Sequence, residues 1–119
     1  MQTQAEAAAE QRPSSDRRRH PRYRWSAPIF VYLSNGSTVR AMSIEISESG
    51  MSALLSESLR PGEIVKIGPV PGGKASAMIK RQNGKVYGFE FLNLAWPQLR
   101  QIVTACDKLP LYDPGALNI

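Results

Sequence analysis

The stretch that decides the fold is residues 29–47, IFVYLSNGSTVRAMSIEIS, in which two alternating apolar segments flank a turn signal. Ile29–Leu33 and Thr38–Ser47 are predicted to be strands, because a period of two residues marks a strand with one buried face. Ser34-Asn35-Gly36 between them is typical of a hairpin turn. The sequence therefore predicts two neighbouring antiparallel strands here.

The second of these strands carries the most informative pattern. Strict alternation would put one set on the core face, namely Met42, Ile44 and Ile46, and the other set on the outer face, namely Ser43, Glu45 and Ser47. Glu45 and Ser47 are then expected side by side on the outer surface, just before a glycine turn at Gly50. A carboxylate, a hydroxyl and exposed backbone N–H groups suit a polar ligand.

Four more stretches downstream are short, apolar and separated by turn residues: Met51–Leu55, Glu63–Val70, Ala75–Arg81 and Val86–Leu92. Asn83-Gly84, before the last of them, is the strongest hairpin signal in the chain. Six short strands with turn signals at spacings of roughly 8–12 residues predict a mainly β fold, an antiparallel barrel or sandwich.

The pattern changes to a helical period after Pro97, a residue suited to a first helical turn. Apolar side chains recur there at helical spacing: Leu99, Ile102, Val103 and Cys106. This predicts an amphipathic C-terminal helix that packs on the β-structure and ends before Pro110.

The composition fits one small domain. The chain has 119 residues, of which 42% are hydrophobic and 21% charged, so it has no room for a nucleotide-binding domain plus a substrate domain. One cysteine and one histidine form no metal cluster or internal disulfide. No stretch approaches the ~20 apolar residues of a membrane span, and the start lacks the pattern of a secretory signal. We expect a cytoplasmic, metal-free protein without a cofactor or enzymatic activity.

The positive charge is concentrated in one segment. The formal net charge is +5, and residues 12–24 alone carry that excess through six arginines: Arg12, Arg17, Arg18, Arg19, Arg22 and Arg24. The planar guanidinium suits bidentate pairing with phosphates and with the O6/N7 edge of guanine. The segment therefore indicates an anionic partner, although short basic runs are also often only solvated.

These patterns divide the chain into three parts. Residues 1–16 are predicted to be a disordered N-terminal arm, residues 17–109 a β-domain with its C-terminal helix, and residues 110–119 a loose tail.

Two motifs in this order resemble the PilZ domain family, the bacterial receptors for the second messenger cyclic di-GMP. The first, R-x-x-x-R, matches Arg18-Arg19-His20-Pro21-Arg22. The second, [D/N]-x-S-x-x-G, matches Glu45-Ile46-Ser47-Glu48-Ser49-Gly50 with one change. Tyr87-Gly88-Phe89-Glu90-Phe91 also resembles the last strand of the family. The similarity covers roughly residues 16–108 and implies a six-stranded antiparallel β-barrel with a C-terminal α-helix.

The resemblance also implies a ligand-binding site. Arg18 and Arg22 would grip phosphates and the Hoogsteen edge of guanine, and Arg17, just before the motif, would favour an intercalated ligand dimer. The other implied contacts are Glu45, Ser47, Gly50, Arg81 and Gly88. The arginine segment is expected to become ordered on binding and so to act as a switch that is read by an effector protein. Family outputs include motility and biofilm formation.

One departure from the family keeps alternatives open. Glu45 stands where the family prefers Asp or Asn; it retains the carboxylate but adds a methylene. A protein-interaction adaptor that has lost the nucleotide is therefore the second hypothesis. A small basic barrel that binds RNA or single-stranded DNA is the third, disfavoured by the scarcity of aromatic residues. A monomer is expected without ligand, since no large apolar stripe is evident.

Overall fold

The structure is a computed structural model that describes residues 20–112. Arg17, Arg18 and the predicted arm 1–16 lie outside the described residues. The elements are β1 (Tyr23–Arg24), β2 (Pro28–Tyr32), β3 (Thr38–Ile46), β4 (Gly50–Leu54), β5 (Ile64–Val70), β6 (Gly73–Asn83), β7 (Val86–Phe91) and α1 (Trp96–Cys106).

Six strands close into an antiparallel barrel. The order of neighbours is β3-β2-β5-β6-β7-β4, and β4 pairs back with β3, so that every one of the six strands has two partners. Closure removes the unpaired edges that an open sheet would expose. The mainly β fold, the six-stranded barrel and the single C-terminal helix predicted from the sequence are confirmed.

The seventh strand, β1, was not predicted. It pairs with the end of β3 through Tyr23 and Arg24, on the same edge that β2 occupies further along. The break between β1 and β2 is bridged by Ser43, whose hydroxyl accepts from the Ala27 N–H and donates to the Trp25 carbonyl. The hydroxyl thus replaces backbone hydrogen bonds that an unbroken strand would make.

The predicted faces of β3 are corrected by a β-bulge. Ser43 pairs with Ala53 and Glu45 with Ser52, so Ile44 is an extra residue on this strand. A bulge shifts the alternation of side chains by one position. Met42, predicted inside, is 43% exposed, whereas Ser43, predicted outside, is buried. Ile46 does lie in the core, beyond the bulge.

Glu45 and Ser47, predicted to stand on the outer surface, are also buried. Glu45 is covered because an arginine side chain lies over it, as described below, and Ser47 because its hydroxyl folds into a tight turn. These two side chains are buried because of the groups that contact them. The alternation of residues along one strand does not show such contacts, so the sequence pattern could not predict the burial.

Helix α1 closes one side of the barrel. Ile102 and Cys106 from its predicted apolar stripe are buried in the core, and the Gln98 amide donates to the carbonyls of Pro71 and Lys74 in the β5–β6 turn region. Within residues 20–112, no helix has the length and apolarity to cross a membrane.

The chain after the helix returns to β1. The predicted loose tail begins at Pro110, but its first residues are held: the Arg24 N–H donates to the Pro110 carbonyl and the Tyr112 N–H to the Arg22 carbonyl, both at 2.8 Å. Tyr23 and Leu111 form an isolated antiparallel bridge. The C-terminal segment therefore fixes the strand that follows the arginine run.

We expect the Cys106 thiol to be inert in the folded protein. Burial raises its pKa to about 11, with the charges of Glu48 and Asp107 adding to the effect, so that little thiolate exists at about pH 8. Ellman's reagent should react slowly with native protein and at once with protein unfolded in guanidinium chloride. Fast reaction in the native state would contradict this burial, and Cys106→Ser supplies the blank.

Candidate ligand-binding cleft

A cleft of about 290 Å³ lies where β3 ends and β4 begins, and it continues onto β6 and β7. The side chains and backbone that line it come from five parts of the chain: Arg22, Glu45, Ser47, Ser49, Gly50, Met51, Lys80, Arg81, Gly88, Phe89 and Glu90. Residues far apart in the sequence therefore meet at one polar, partly open depression on the barrel wall.

A buried ion pair forms the inner side of the cleft. Arg22 binds Glu45 in a bidentate manner, Nε to Oε1 and Nη2 to Oε2, and the Ser52 hydroxyl donates to Oε2. The Glu45 side chain is 1% exposed and that of Arg22 14%. A buried carboxylate costs several kcal/mol unless it is paired and hydrogen-bonded, so Arg22 and Ser52 are what permit Glu45 to lie here.

The other side of Arg22 faces the C-terminal segment. The guanidinium carbon lies 5.8 Å from the centre of the Tyr112 ring, within the range of a cation–π contact. Arg22 is thus held between Glu45 on the barrel and Tyr112 on the returning chain. Three of its five N–H donors are not used by Glu45.

The turn from β3 to β4 is shaped by Ser47. Its hydroxyl accepts from the Ser49 N–H at 3.2 Å, and its N–H donates to the Gly50 carbonyl at 2.8 Å. The Phe91 N–H donates to the Ser49 carbonyl at 2.9 Å, which ties the turn to β7. His20 Nε2 lies 3.6 Å from Glu48 Oε1, so the described chain begins beside this turn.

Two glycines let the backbone and a side chain approach closely. A Cβ on Gly50 would collide with the Phe89 carbonyl oxygen of the neighbouring strand. At Gly88 a Cβ would lie 3.2 Å from Cγ of Arg81, so the missing side chain leaves room for the arginine stem on the sheet. Gly50 is therefore needed for strand packing and Gly88 for the position of Arg81.

A second β-bulge brings two cations to the same cleft. Ile79 pairs with Phe89 and Arg81 with Gly88, which leaves Lys80 as the extra residue of β6. Successive residues of a regular strand point to opposite faces, but here Lys80 and Arg81 both line the cleft. Lys80 Nζ lies 3.4 Å from Glu90 Oε1, whereas Arg81 forms no ion pair with any residue in 20–112.

The charges leave the cleft suited to an anion. Glu45 is neutralised by Arg22 and Glu90 by Lys80, while Arg81 adds an uncompensated positive charge within the described part of the chain. Hydroxyl and backbone groups at the β3–β4 turn supply neutral hydrogen-bonding partners beside these cations. The arrangement fits a ligand with phosphate oxygens and a polar planar group. Residues 20–112 bring no three His, Cys, Asp or Glu side chains together as a metal site.

Six of the predicted site residues meet in this cleft: Arg22, Glu45, Ser47, Gly50, Arg81 and Gly88. Arg17 and Arg18 fall outside the described residues. Sequence reasoning missed Ser52, Lys80 and Glu90. The pairs Glu45–Ser52 and Ile46–Met51 centre the β3–β4 turn on Glu48-Ser49, whereas a two-residue turn at Ser49-Gly50 would put Leu54 opposite Glu45, so the turn signal did not indicate Ser52. The sequence also carries no signal for the bulge that turns Lys80 toward the cleft.

Comparison with known proteins identifies the family. The model of the PilZ domain family matches residues 16–108, and the chain therefore belongs to the PilZ domain family. No curated protein sequence matches it.

Solved structures agree with this assignment. YcgR from Escherichia coli in complex with c-di-GMP has 27% sequence identity and a TM-score of 0.61, with 76% of this chain and 44% of that chain covered. The PilZ domain of YcgR with c-di-GMP, also from Escherichia coli, has 25% identity and a TM-score of 0.59, covering 79% and 92%. The chain thus covers less than half of the first of these solved chains and nearly all of the second, which is a PilZ domain.

A third structure shares the fold. The inhibitor of motility MotI/DgrA from Bacillus subtilis has a TM-score of 0.66 at 18% identity, covering 87% of this chain and 53% of that chain. At this identity the likeness concerns the barrel alone.

Gly50→Ala is expected to destabilise the domain. The new methyl group would meet backbone rather than a flexible side chain, so β4 and β7 must separate, and we expect a loss of about 2 kcal/mol or more in the free energy of unfolding. Urea denaturation measures this. Gly88→Ala is the matched control, since the Arg81 stem can shift and the loss should stay below about 1 kcal/mol. Equal losses for the two variants would contradict the packing described here.

Arg22→Met is expected to cost about 3–5 kcal/mol of stability, because it leaves the Glu45 carboxylate buried without its cation. Adding Glu45→Gln should recover most of that loss by removing the buried charge. A double-mutant cycle from urea denaturation of the four proteins gives the coupling energy. Additive effects of the two substitutions would show that the pair does not hold this segment on the barrel.

Proposed function

We propose that this protein is a receptor for cyclic di-GMP and that the nucleotide binds in the cleft beside Arg22 and Arg81. The observation that carries the proposal is the convergence of Arg22, Glu45, Ser47, Gly50, Arg81 and Gly88 on one cleft in a chain of the PilZ family. Two of the similar structures are complexes with c-di-GMP.

The chemistry of the ligand matches the groups in the cleft. Cyclic di-GMP carries two phosphates and two guanines. Arg81 offers a guanidinium without an acidic partner in residues 20–112, and Arg22 keeps three N–H donors after pairing with Glu45. Guanidinium groups bind phosphate oxygens and the O6/N7 edge of guanine in a bidentate manner.

Glu45 has a different role in this proposal from that of a direct guanine contact. Both of its oxygens are engaged, one by Arg22 and the other by Arg22 and Ser52. The longer side chain of Glu45 thus holds Arg22 at the cleft. Arg22 is then the ligand-binding group and Glu45 the residue that positions it.

The arginines ahead of the described chain complete the site. Arg18 is the first arginine of the R-x-x-x-R motif whose last arginine, Arg22, lines the cleft. We assign Arg17 and Arg18 to the ligand phosphates and bases, with Arg17 supporting an intercalated dimer of the nucleotide. Neutralisation of this arginine cluster offsets the entropy of ordering the segment, and the ordered segment is the signal read by a partner protein.

An adaptor without nucleotide binding is the second candidate function. The observation that favours it is the bidentate engagement of Arg22 by Glu45, which competes with ligand for the same guanidinium. Glu45→Asp shortens the carboxylate side chain and should then create binding in a protein that shows none.

Isothermal titration calorimetry with cyclic di-GMP tests the receptor function. We expect the wild type to bind saturably and Lys108→Ala to bind with unchanged affinity. For Arg18→Ala we expect the affinity to fall at least about tenfold, because a charge-assisted hydrogen bond is worth about 1.5–3 kcal/mol. Cyclic di-AMP controls for recognition of guanine as distinct from phosphate. Arg18→Ala leaves the Arg22–Glu45 ion pair intact, so a loss of affinity in this variant does not reflect a loss of folding stability.

The outcomes separate the two functions. If the Arg18→Ala variant binds cyclic di-GMP as tightly as the wild type does, Arg18 is not part of the binding site. No binding by the wild type but clear binding by Glu45→Asp would favour the adaptor. About two ligands per chain, falling to one in Arg17→Leu, is expected from the role given to Arg17.

A further inference from the structure

An unbroken row of apolar side chains crosses the outer face of four neighbouring strands. Pro28 on β2 pairs with Met42 on β3, Met42 with Leu54 on β4, and Leu54 with Val86 on β7. All four are exposed, Met42 to 43%, Leu54 to 46% and Val86 to 36%. They follow each other in register, so the row is continuous rather than scattered.

The fold does not need this row. The core is filled from the other face by residues that alternate with them, such as Ile29, Ala53 and Tyr87. The solvent face of an antiparallel sheet is ordinarily polar. Single exposed apolar residues are common on protein surfaces, whereas contiguous ones mark an interaction site.

The surroundings of the row define its charge. A shallow cavity of about 450 Å³ runs beside it, and the charged residues among its lining are Arg40 and Lys85, both cations and both exposed. An apolar patch with cations at its rim is complementary to a surface that presents apolar side chains flanked by carboxylates. A second copy of this chain would bring four cations together in a symmetric pairing, and so fits poorly.

We propose that Pro28, Met42, Leu54 and Val86, with Arg40 and Lys85 at their rim, form a docking surface for a partner protein that presents apolar side chains flanked by Asp or Glu. Every strand that carries the row is already paired on both edges, so the partner is held by side chains and not by addition of a strand. A membrane surface fits less well, because the aromatic residue that lines the cavity, Phe30, is half-buried, whereas interfacial segments insert exposed apolar and aromatic groups into the membrane.

The surface is separate from the cleft but built on the same strands. Gly50 at the cleft and Leu54 in the row are four residues apart on β4, about 13 Å at the rise of a strand. The docking proposal does not depend on nucleotide binding, and its test needs no nucleotide.

The test is selection of binding peptides from a displayed random library on the immobilised full chain. We expect selected sequences to carry Leu, Ile, Phe or Met flanked by Asp or Glu. Fluorescence anisotropy with the synthetic peptides should show a loss of about tenfold or more for Met42→Ser/Leu54→Ser, because truncation of central apolar contacts costs more than 1 kcal/mol each. Arg40→Glu/Lys85→Glu should lose a similar factor.

Ile64→Ser is the matched control, since Ile64 is an equally exposed apolar residue of β5 outside the row; it should bind as the wild type does. Far-ultraviolet circular dichroism of each variant establishes that it is folded. Selected peptides without the apolar–acidic pattern, or affinity retained in both double variants, would overturn the proposal. Two further results would overturn it if they disappear in Met42→Ser/Leu54→Ser. Concentration-dependent dimerisation would identify a second copy of the chain as the occupant, and binding to anionic phosphatidylserine vesicles would identify a membrane.

Discussion

The buried carboxylate of Glu45 is the constraint on which the rest of the site depends. Its charge is almost wholly shielded from water beneath the Arg22 side chain, and within residues 20–112 it is compensated by the guanidinium of Arg22 and the hydroxyl of Ser52. The need for compensation places the end of the arginine run against β3. That position in turn lets β1 form and gives the segment after α1 a strand to pair with. One electrostatic requirement thereby organises three separate parts of the chain.

The two bulges explain how a six-stranded barrel acquires the polar cleft on its wall. In β3 the extra residue Ile44 changes which side chains face outward, and in β6 the extra residue Lys80 allows two neighbouring cations to face one cleft. Bulges commonly re-aim side chains next to functional sites. Met42 lies before the bulge of β3, in the regular part of the strand, and faces outward together with its partners Pro28 and Leu54. The cleft therefore results from breaks in regular alternation, whereas the apolar row follows from regular pairing of neighbouring strands.

The fold was predictable because its signals are local. Turn residues such as Asn83-Gly84 and the change of period after Pro97 reflect backbone preferences that act over a few residues, and all six main strands and the helix were found from them. The inward and outward faces of β3 were not predictable in full, since a bulge depends on register with a partner strand. β1 was missed because a two-residue strand leaves no periodic pattern.

The site was predictable only in part, and for a different reason. The arginine motif and the serine–glycine motif pointed to Arg22, Glu45, Ser47 and Gly50 through family resemblance, and the fold brings these four residues to one cleft. Glu45 is a case in point: its residue type suggests a ligand contact, but both of its carboxylate oxygens are engaged by Arg22 and Ser52. Arg22, which precedes β1, and Tyr112, which follows α1, are joined by a backbone hydrogen bond beside the cleft. The chain therefore enters and leaves the barrel at neighbouring points, an arrangement that allows a domain to be inserted into a loop of another protein with little disturbance of the host.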